Sequence, residues 1–284
     1  MEGCTLCPVA CGAQRNMKAG ACGVKNVTIA KYGLHAFEEP ALSPRNKSGT
    51  VFFSGCSLRC VFCQNYELSR AALGREVTPK ELVQIFKELE DMGAENIDLV
   101  TPDHLIPFLL EALSEYQPKV PVVYNSGGYC RVESLKLIDP YIDVYLPDLK
   151  FCSPALSARY TGRRDYFEYA SKAIAFMAKK PVRFENGQMK SGILVRHLIL
   201  PCCGSDSIKV LDYLKSVLPA DAPISLMRQY TPMGEIQDYP ELQRVLTGRE
   251  YARVKDYALS LGFSNLYTQD RASADRAFIP NWSE

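Results

Sequence analysis

Gly49-Thr50-Val51-Phe52-Phe53-Ser54-Gly55-Cys56-Ser57-Leu58-Arg59-Cys60-Val61-Phe62-Cys63-Gln64-Asn65-Tyr66 decides how the rest of the chain is read. The apolar run from Thr50 to Phe53 has the make-up of a short buried strand, and Gly55 breaks it. Three cysteines follow, spaced Cys-x3-Cys-x2-Cys, with Phe62 just before the last. A [4Fe–4S] cluster has four irons that each want a thiolate, so three cysteines leave one iron open to another ligand. Two other uses of the thiols compete with this one. Free cysteine also serves as a small core hydrophobe, which suits a loop flanked by Gly and Asn poorly. Structural zinc wants four ligands, and no fourth lies close by in sequence.

Working outward toward the N-terminus, Cys4, Cys7, Cys11 and Cys22 fall within the first two dozen residues, among glycines and a proline. Four thiolates with tight turns make a closed site, for structural zinc or for a fully ligated second iron–sulfur cluster, and the spacing leaves both open. Residues 1–48 are accordingly read as a cysteine-rich metal-binding segment ahead of a catalytic domain of residues 49–284. Val27 to Ala36 alternates loosely and reads as an extra strand or hairpin. Phe37-Glu38-Glu39-Pro40 reads as a turn whose two carboxylates remain in solvent.

In the other direction, short apolar runs alternate with amphipathic ones. Thr78 is an N-cap with Pro79 at the first helical position, Leu82, Ile85, Phe86 and Leu89 recur at helical spacing, and Gly93 stops the helix. The succeeding pairs are a strand at 96–100 with a helix at 104–115, a strand at 121–124 with a helix at 132–138, and a strand at 142–146 with a helix at 165–178. A strand at 192–200 with a helix at 208–217, and a strand at 223–228 with a helix at 249–261, complete the series. Six strand–helix units counted from the cysteine loop predict an α/β fold with a parallel sheet and right-handed crossovers. Six in place of eight predicts a partial (βα)6 TIM-like barrel.

Ligands in parallel α/β architectures lie at the carboxyl ends of the strands, and those ends are polar here. They carry the cysteine loop, Thr101-Pro102-Asp103-His104, Asn125-Ser126-Gly127-Gly128-Tyr129, Pro147-Asp148-Leu149-Lys150, Arg196-His197 and Gln229-Tyr230-Thr231-Pro232. Asn125 and Ser126 offer hydrogen bonds to a ribose or an amino group. Arg196 suits a carboxylate in a two-pronged geometry. Asp148 and Lys150, two apart, share one face if extended. His35, His104 and His197 titrate near neutrality and are read as structural or ligand-orienting, His197 being the one expected at the cofactor. Cys130, Cys152, Cys202 and Cys203 receive no assigned role.

The chain has 284 residues, 47% hydrophobic and 23% charged, with a net charge of +1. That balance argues against a nucleic-acid or membrane partner. Met1-Glu2-Gly3-Cys4 does not begin a signal peptide, and no apolar run approaches the roughly 20 residues of a membrane span. The expected compartment is the cytoplasm, where cysteines hold metal instead of disulfides.

Cys-x3-Cys-x2-Cys resembles the signature of the radical S-adenosylmethionine (SAM) superfamily. Further similarities run along the chain: Cys4-x2-Cys7-Pro8, Leu34-His35-x2-Glu38-Glu39-Pro40, Cys63-Gln64-Asn65-Tyr66, Val100-Thr101-Pro102, Val123-Tyr124-Asn125, Tyr145-Leu146-Pro147-Asp148-x-Lys150, Val195-Arg196-His197 and Gln229-Tyr230. These resemble the uncharacterised branch similar to pyruvate formate-lyase activating enzymes. The resemblance implies a [4Fe–4S] cluster on Cys56, Cys60 and Cys63, and SAM chelated at its open iron. It also implies reductive cleavage to a 5′-deoxyadenosyl radical, with reduced flavodoxin or ferredoxin as electron donor. Asn125, Ser126, Asp148, Lys150, Arg196 and His197 are then expected around SAM, with Phe62 beside the adenine. Activating enzymes carry Gly-Gly-Glu after the second strand. Thr101-Pro102-Asp103 stands there in this chain, so that contact passes to Thr101 or a neighbouring strand. The implied substrate is a glycine of a partner glycyl-radical enzyme. Modification of a small molecule, peptide or RNA is the alternative, and a non-catalytic metal-binding regulatory module is the alternative from outside the enzymes.

Overall fold

A computed structural model describes residues 3–274 apart from Asn16, Phe37, Asn46, Ala71 and Ala72. The strands are β1 Thr28–His35, β2 Ser48–Phe53, β3 Arg75–Glu76, β4 Ile97–Val100, β5 Val122–Ser126 and β6 Val144–Pro147. They continue as β7 Arg183–Glu185, β8 Gln188–Ile193, β9 Val195–Leu198, β10 Ile224–Met227 and β11 Leu266–Thr268. The helices are α1 Tyr66–Arg70, α2 Pro79–Asp91, α3 Ile106–Glu115, α4 Val132–Ile138, α5 Pro154–Thr161, α6 Tyr166–Met177, α7 Gly204–Val217 and α8 Gly248–Ser260.

β2, β4, β5, β6 and β8 pair in parallel in that order, and β9, β10 and β11 form a second parallel set. β8 passes into β9 with a single break at Leu194, and a parallel bridge between Asp148 and Arg196 carries β6 across to β9. The result is the partial barrel expected, with the helices outside. Eight parallel strands stand where six were expected: the strand expected at 192–200 is divided between β8 and β9, and β11, with three residues, is too short for a periodic signal. The hairpin β7–β8, turned at Asn186-Gly187 with both residues at positive φ, was also unread, although Asn-Gly is a strong turn signal. β1 pairs antiparallel with β2 as a hairpin. α3 starts at Ile106 because Pro102 to Leu105 closes a turn of its own, Leu105 N–H donating to Pro102 O at 2.8 Å.

Burial explains the strands. All residues of β4, β5, β6 and β10 are buried, as expected of parallel strands covered on both faces. α2 lays Leu82, Ile85, Phe86 and Leu89 against the sheet, and Thr78 caps it in a reciprocal box with Glu81.

The connector between β1 and β2 turns into the barrel. Ala41 and Leu42 are each 1% exposed and pack against Val123, Val144, Leu146, Met189 and Leu194. The side-chain amides of Asn96 and Gln188 donate to Leu42 O at 3.0 and 3.2 Å. This corrects the reading of Glu38 and Glu39 as solvated. The side chain of Glu38 is 10% exposed and reaches Arg196 Nη1 at 3.3 Å, and Glu39 is 9% exposed. Burying Ala41-Leu42 draws the turn inward, and Arg196 supplies the countercharge.

Two stability predictions follow from these contacts. Thr78→Ala removes the cap of α2 and lowers unfolding free energy by about 1 kcal/mol in a denaturant titration. Burial pushes the Glu39 carboxyl up to about 7 from an ordinary 4.5, against the pull of Arg196. Between those values the unfolded chain releases a proton that the folded chain retains, so native stability falls as pH rises through that window. Glu39→Gln removes this loss, and the variant gains on the parent by on the order of 3 kcal/mol between about pH 4 and about pH 8. A pH-independent difference contradicts the burial of an uncharged Glu39.

Candidate active site

The cysteine loop leaves β2 at Ser54 and is fixed by backbone hydrogen bonds from several directions. Gly55 N–H donates to Leu68 O at 2.9 Å, Cys56 N–H to Cys22 O at 3.0 Å, and Val61 N–H to Tyr160 O at 2.9 Å. Arg163 caps Ser57 O through Nε and Nη2 at 3.2 and 3.1 Å. Gly55 sits at φ 84°, and a Cβ there would stand 2.7 Å from Cys22 O. Only glycine fits so close an approach.

Burial pushes up the thiols of all three cysteines, Cys60 to about 12, and Cys56 is raised further by its neighbours Cys60 and Cys63. Lys150 works the other way on Cys60 and Cys63. The trio is thus a set of largely buried soft donors with two cations, Lys150 and Arg70, acting on Cys60 and Cys63, chemistry that suits an iron–sulfur cluster. In their present positions no three of the described His, Cys, Asp or Glu side chains form a ready-made metal shell, these thiols included.

Next to the loop, the ends of β5, β6 and β9 hold one charged array. Asp148 accepts from Lys150 Nζ at 2.6 Å and from Arg196 Nε at 2.9 Å. Arg196 also donates to Asn125 Oδ1 at 2.6 Å. Asn125 in turn donates to Asp98 Oδ2 at 3.1 Å. Burial works to raise the Asp148 carboxyl, but Arg196 and Lys150 outweigh it and hold it below the ordinary carboxylate range. Burial likewise raises Asp98, with Glu38 adding to the effect. Lys150 Nζ stands 5.9 Å from the Phe62 ring centroid, and its Cε would lie 3.6 Å from a Cβ on Gly127.

Asn125, Asp148, Lys150 and Arg196 are therefore together, and Thr101 joins them through its N–H, which donates to Asn125 O at 2.8 Å. Thr101 has φ 61°, a strained conformation for a β-branched residue. Three other expected residues face different work. Ser126 donates to Asp103 Oδ1 at 2.8 Å and accepts from Gly128 N–H at 3.0 Å. His197 Nδ1 lies 2.7 Å from Leu149 O, and burial lowers this imidazole to about 4. Phe62 is 4% exposed and packs edge-on to Phe151 and Tyr160.

Asp103 is a buried hub that also takes Tyr124 Oη at 3.1 Å and Cys130 Sγ at 2.9 Å. Cys203 is buried, Cys152 half-buried, and Cys202 lies exposed with Arg244 Nη2 at 3.4 Å. Sequence reasoning missed Tyr166, whose hydroxyl accepts from Lys150 N–H at 3.0 Å and lies 2.9 Å from Asp148 O and 3.0 Å from Gly127 O. It also missed Asp98, which sits mid-strand without a motif.

Among the described residues, no helix is long and apolar enough to cross a membrane. An uncharacterized protein of Methanocaldococcus jannaschii is 29% identical over 280 residues, covering 94% of this chain and 77% of that protein. The Streptococcus suis SuiB structure bound to S-adenosylmethionine aligns at TM-score 0.52 and 14% identity, over 76% of this chain and 48% of SuiB. The SuiB structure bound to its precursor peptide SuiA aligns at TM-score 0.51 and 14% identity, over 76% of this chain and 46% of SuiB. This chain thus spans just under half the length of SuiB, and the likeness shows the shared fold. The radical SAM superfamily matches residues 50–194, which are 145 of the 284 residues and just over half of the chain. From the cysteine loop to the end of β8, the chain belongs to the radical SAM superfamily, enzymes that use a [4Fe–4S] cluster and S-adenosylmethionine.

Proposed function

We propose that Cys56, Cys60 and Cys63 hold the cluster and that Asn125, Asp148, Lys150 and Arg196, with the backbone at Thr101, hold SAM. The observation that carries this reading is the meeting of the three-cysteine loop, with Cys60 buried and Cys56 and Cys63 half-buried, with the Lys150–Asp148–Arg196–Asn125 array on one strand-end rim. Bound there, the cluster and SAM supply, on one-electron reduction, a 5′-deoxyadenosyl radical able to abstract hydrogen. The chain's own residues prepare the place. Arg196 and Lys150 give positive charge for a carboxylate, and Asp148 gives an acceptor for an ammonium or a ribose hydroxyl. Gly127 and Gly128 let the backbone come close. Tyr166 fixes the Asp148 and Gly127 carbonyls so that the rim keeps its shape.

Ser126 and His197 act one step back in this reading. Ser126 shapes the glycine turn, His197 stays neutral and braces Leu149, and Phe62 backs the loop. Reduced flavodoxin or ferredoxin supplies the electron. The substrate is a glycine Cα of a partner glycyl-radical enzyme, a reading supported by the resemblance that runs from Cys4 to Tyr230. The precursor peptide bound by SuiB favours a peptide as the second candidate.

Anaerobically reconstituted protein with dithionite and SAM releases 5′-deoxyadenosine, and Cys60→Ala releases none. Equal release from parent and variant would sink the cluster assignment. Lys150→Met keeps the iron and raises the Kd for SAM by roughly tenfold or more, the worth of one charge-assisted hydrogen bond. An unchanged Kd removes Lys150 from the site. Deuterium appearing in 5′-deoxyadenosine from a glycine-labelled partner enzyme supports the activating role, whereas transfer only from a labelled peptide or small molecule replaces it.

A further inference from the structure

The cysteine loop carries a set of cations that the proposed SAM site does not use. Arg59 is the one exposed residue between Cys56 and Cys63, and its Nη2 donates to Ala21 O at 3.2 Å. Arg70, at the end of α1, donates from Nη2 to Arg59 O at 2.9 Å and lies 5.1 Å from the Tyr66 ring centroid. Arg163 grips Ser57 O through Nε and Nη2. Arg59 N–H donates to Thr161 O at 3.3 Å, so the turn at 161–165 packs on the loop and brings Arg164 with it. Arg164 is exposed, and Arg70 and Arg163 are half-buried.

Among the described residues none of these four arginines forms an ion pair. Their neighbour Arg159 does, with Glu241 at 2.9 Å. Residues 56–70 and 161–165 set two carboxylates, Glu67 and Asp165, against the four arginines, and Asp165 already accepts from Tyr129 Oη at 2.8 Å. That leaves a local excess of two positive charges in a chain whose net charge is +1. Arg59, Arg70 and Arg163 are held by carbonyl oxygens in place of carboxylates, so their direction is fixed while their charge is left for a partner. Among the described residues no hydrogen bond or ion pair joins the four to Asn125, Asp148, Lys150 or Arg196.

We propose that Arg59, Arg70, Arg163 and Arg164 form the docking face for the acidic protein that reduces the cluster, a reading that rests on the cluster assignment above. Electron transfer weakens steeply with distance, so the carrier must meet the chain where the cysteines come nearest to solvent. Arg59 marks that place, with the half-buried Cys56 and Cys63 before and after it in sequence. A substrate must instead reach the strand-end array. The partner is a small acidic flavin or iron–sulfur protein. It gives up one electron, which the oxidised cluster accepts; no bond forms or breaks and no proton moves. Encounters of this kind bury less than about 1,200 Å², and opposite charges on the two faces set their rate and their choice of partner.

Calorimetric titration of the anaerobically reconstituted full chain with an oxidised flavodoxin, and separately with an oxidised ferredoxin, tests this without turnover. At least one of the two binds, and the one that binds gives the class of donor. Binding weakens by roughly tenfold or more in Arg59→Glu/Arg164→Glu. It weakens likewise when ionic strength rises from about 0.1 M to about 1 M, which shortens the Debye length from about 10 Å to about 3 Å. Arg249→Glu/Arg253→Glu on α8 makes the same change of net charge outside the docking face and binds as the parent does. Binding of neither carrier, equal loss in the two double variants, or binding indifferent to salt and to Arg59→Glu/Arg164→Glu each overturns the docking face. Dithionite needs no docking and separates the two readings. If the parent then releases no 5′-deoxyadenosine, the cluster assignment fails; if it releases 5′-deoxyadenosine yet binds neither carrier, the docking face alone fails. The salt dependence of the parent carries the test even if Arg59→Glu/Arg164→Glu does not fold.

Discussion

The largely buried guanidinium of Arg196 is the constraint on which the rest of the architecture depends. It lies on β9 where the sheet has just bent, bridges to Asp148 on β6, and reaches Asn125 on β5 and Glu38 on the connector. An unpaired cation at that depth costs several kcal/mol, so the barrel must close far enough to bring those groups in. The same requirement pulls the β1–β2 connector into the lumen, where Ala41 and Leu42 fill the space. Charge pairing and apolar filling therefore reinforce one another, and together they set the strand ends in register.

Much of this was legible in the chain. The cysteine spacing singled out the loop that the structure places at the end of β2, and the alternation of apolar runs gave the parallel α/β order, although the strand read at 192–200 is split at Leu194 between β8 and β9 and helix α5 went unread. Turn chemistry placed the polar groups at strand ends, and Asn125, Asp148, Lys150 and Arg196 do meet. What stayed hidden depended on distance. Glu38 and Arg196 are 158 residues apart, so nothing near Glu38 in sequence discloses its partner, and a pair of glutamates before a proline reads as solvent-facing. Tyr166 looked like an ordinary helix residue, although its hydroxyl fixes two carbonyls of the rim. Ser126 and His197 were named for their residue type, yet their side chains are spent on the protein itself.

The two cysteine groups are physically joined. Cys22 O holds Cys56 N–H, and Gly55 must be glycine because Cys22 O lies where its Cβ would be. The front segment is thus part of the wall around the cysteine loop. Asp103 gathers Ser126, Tyr124 and Cys130, so the glycine turn after β5 is held as well. A rim built this way keeps its donors and acceptors fixed before any ligand arrives.

In the proposed site Cys56, Cys60 and Cys63 hold a cluster whose fourth iron is open to SAM. Electron paramagnetic resonance of the anaerobically reduced protein, recorded with and without SAM, addresses it directly. The expected result is a cluster signal that changes shape and g-values when SAM is added, and no such signal in Cys60→Ala. A signal that SAM leaves unchanged, or one that persists in Cys60→Ala, contradicts it.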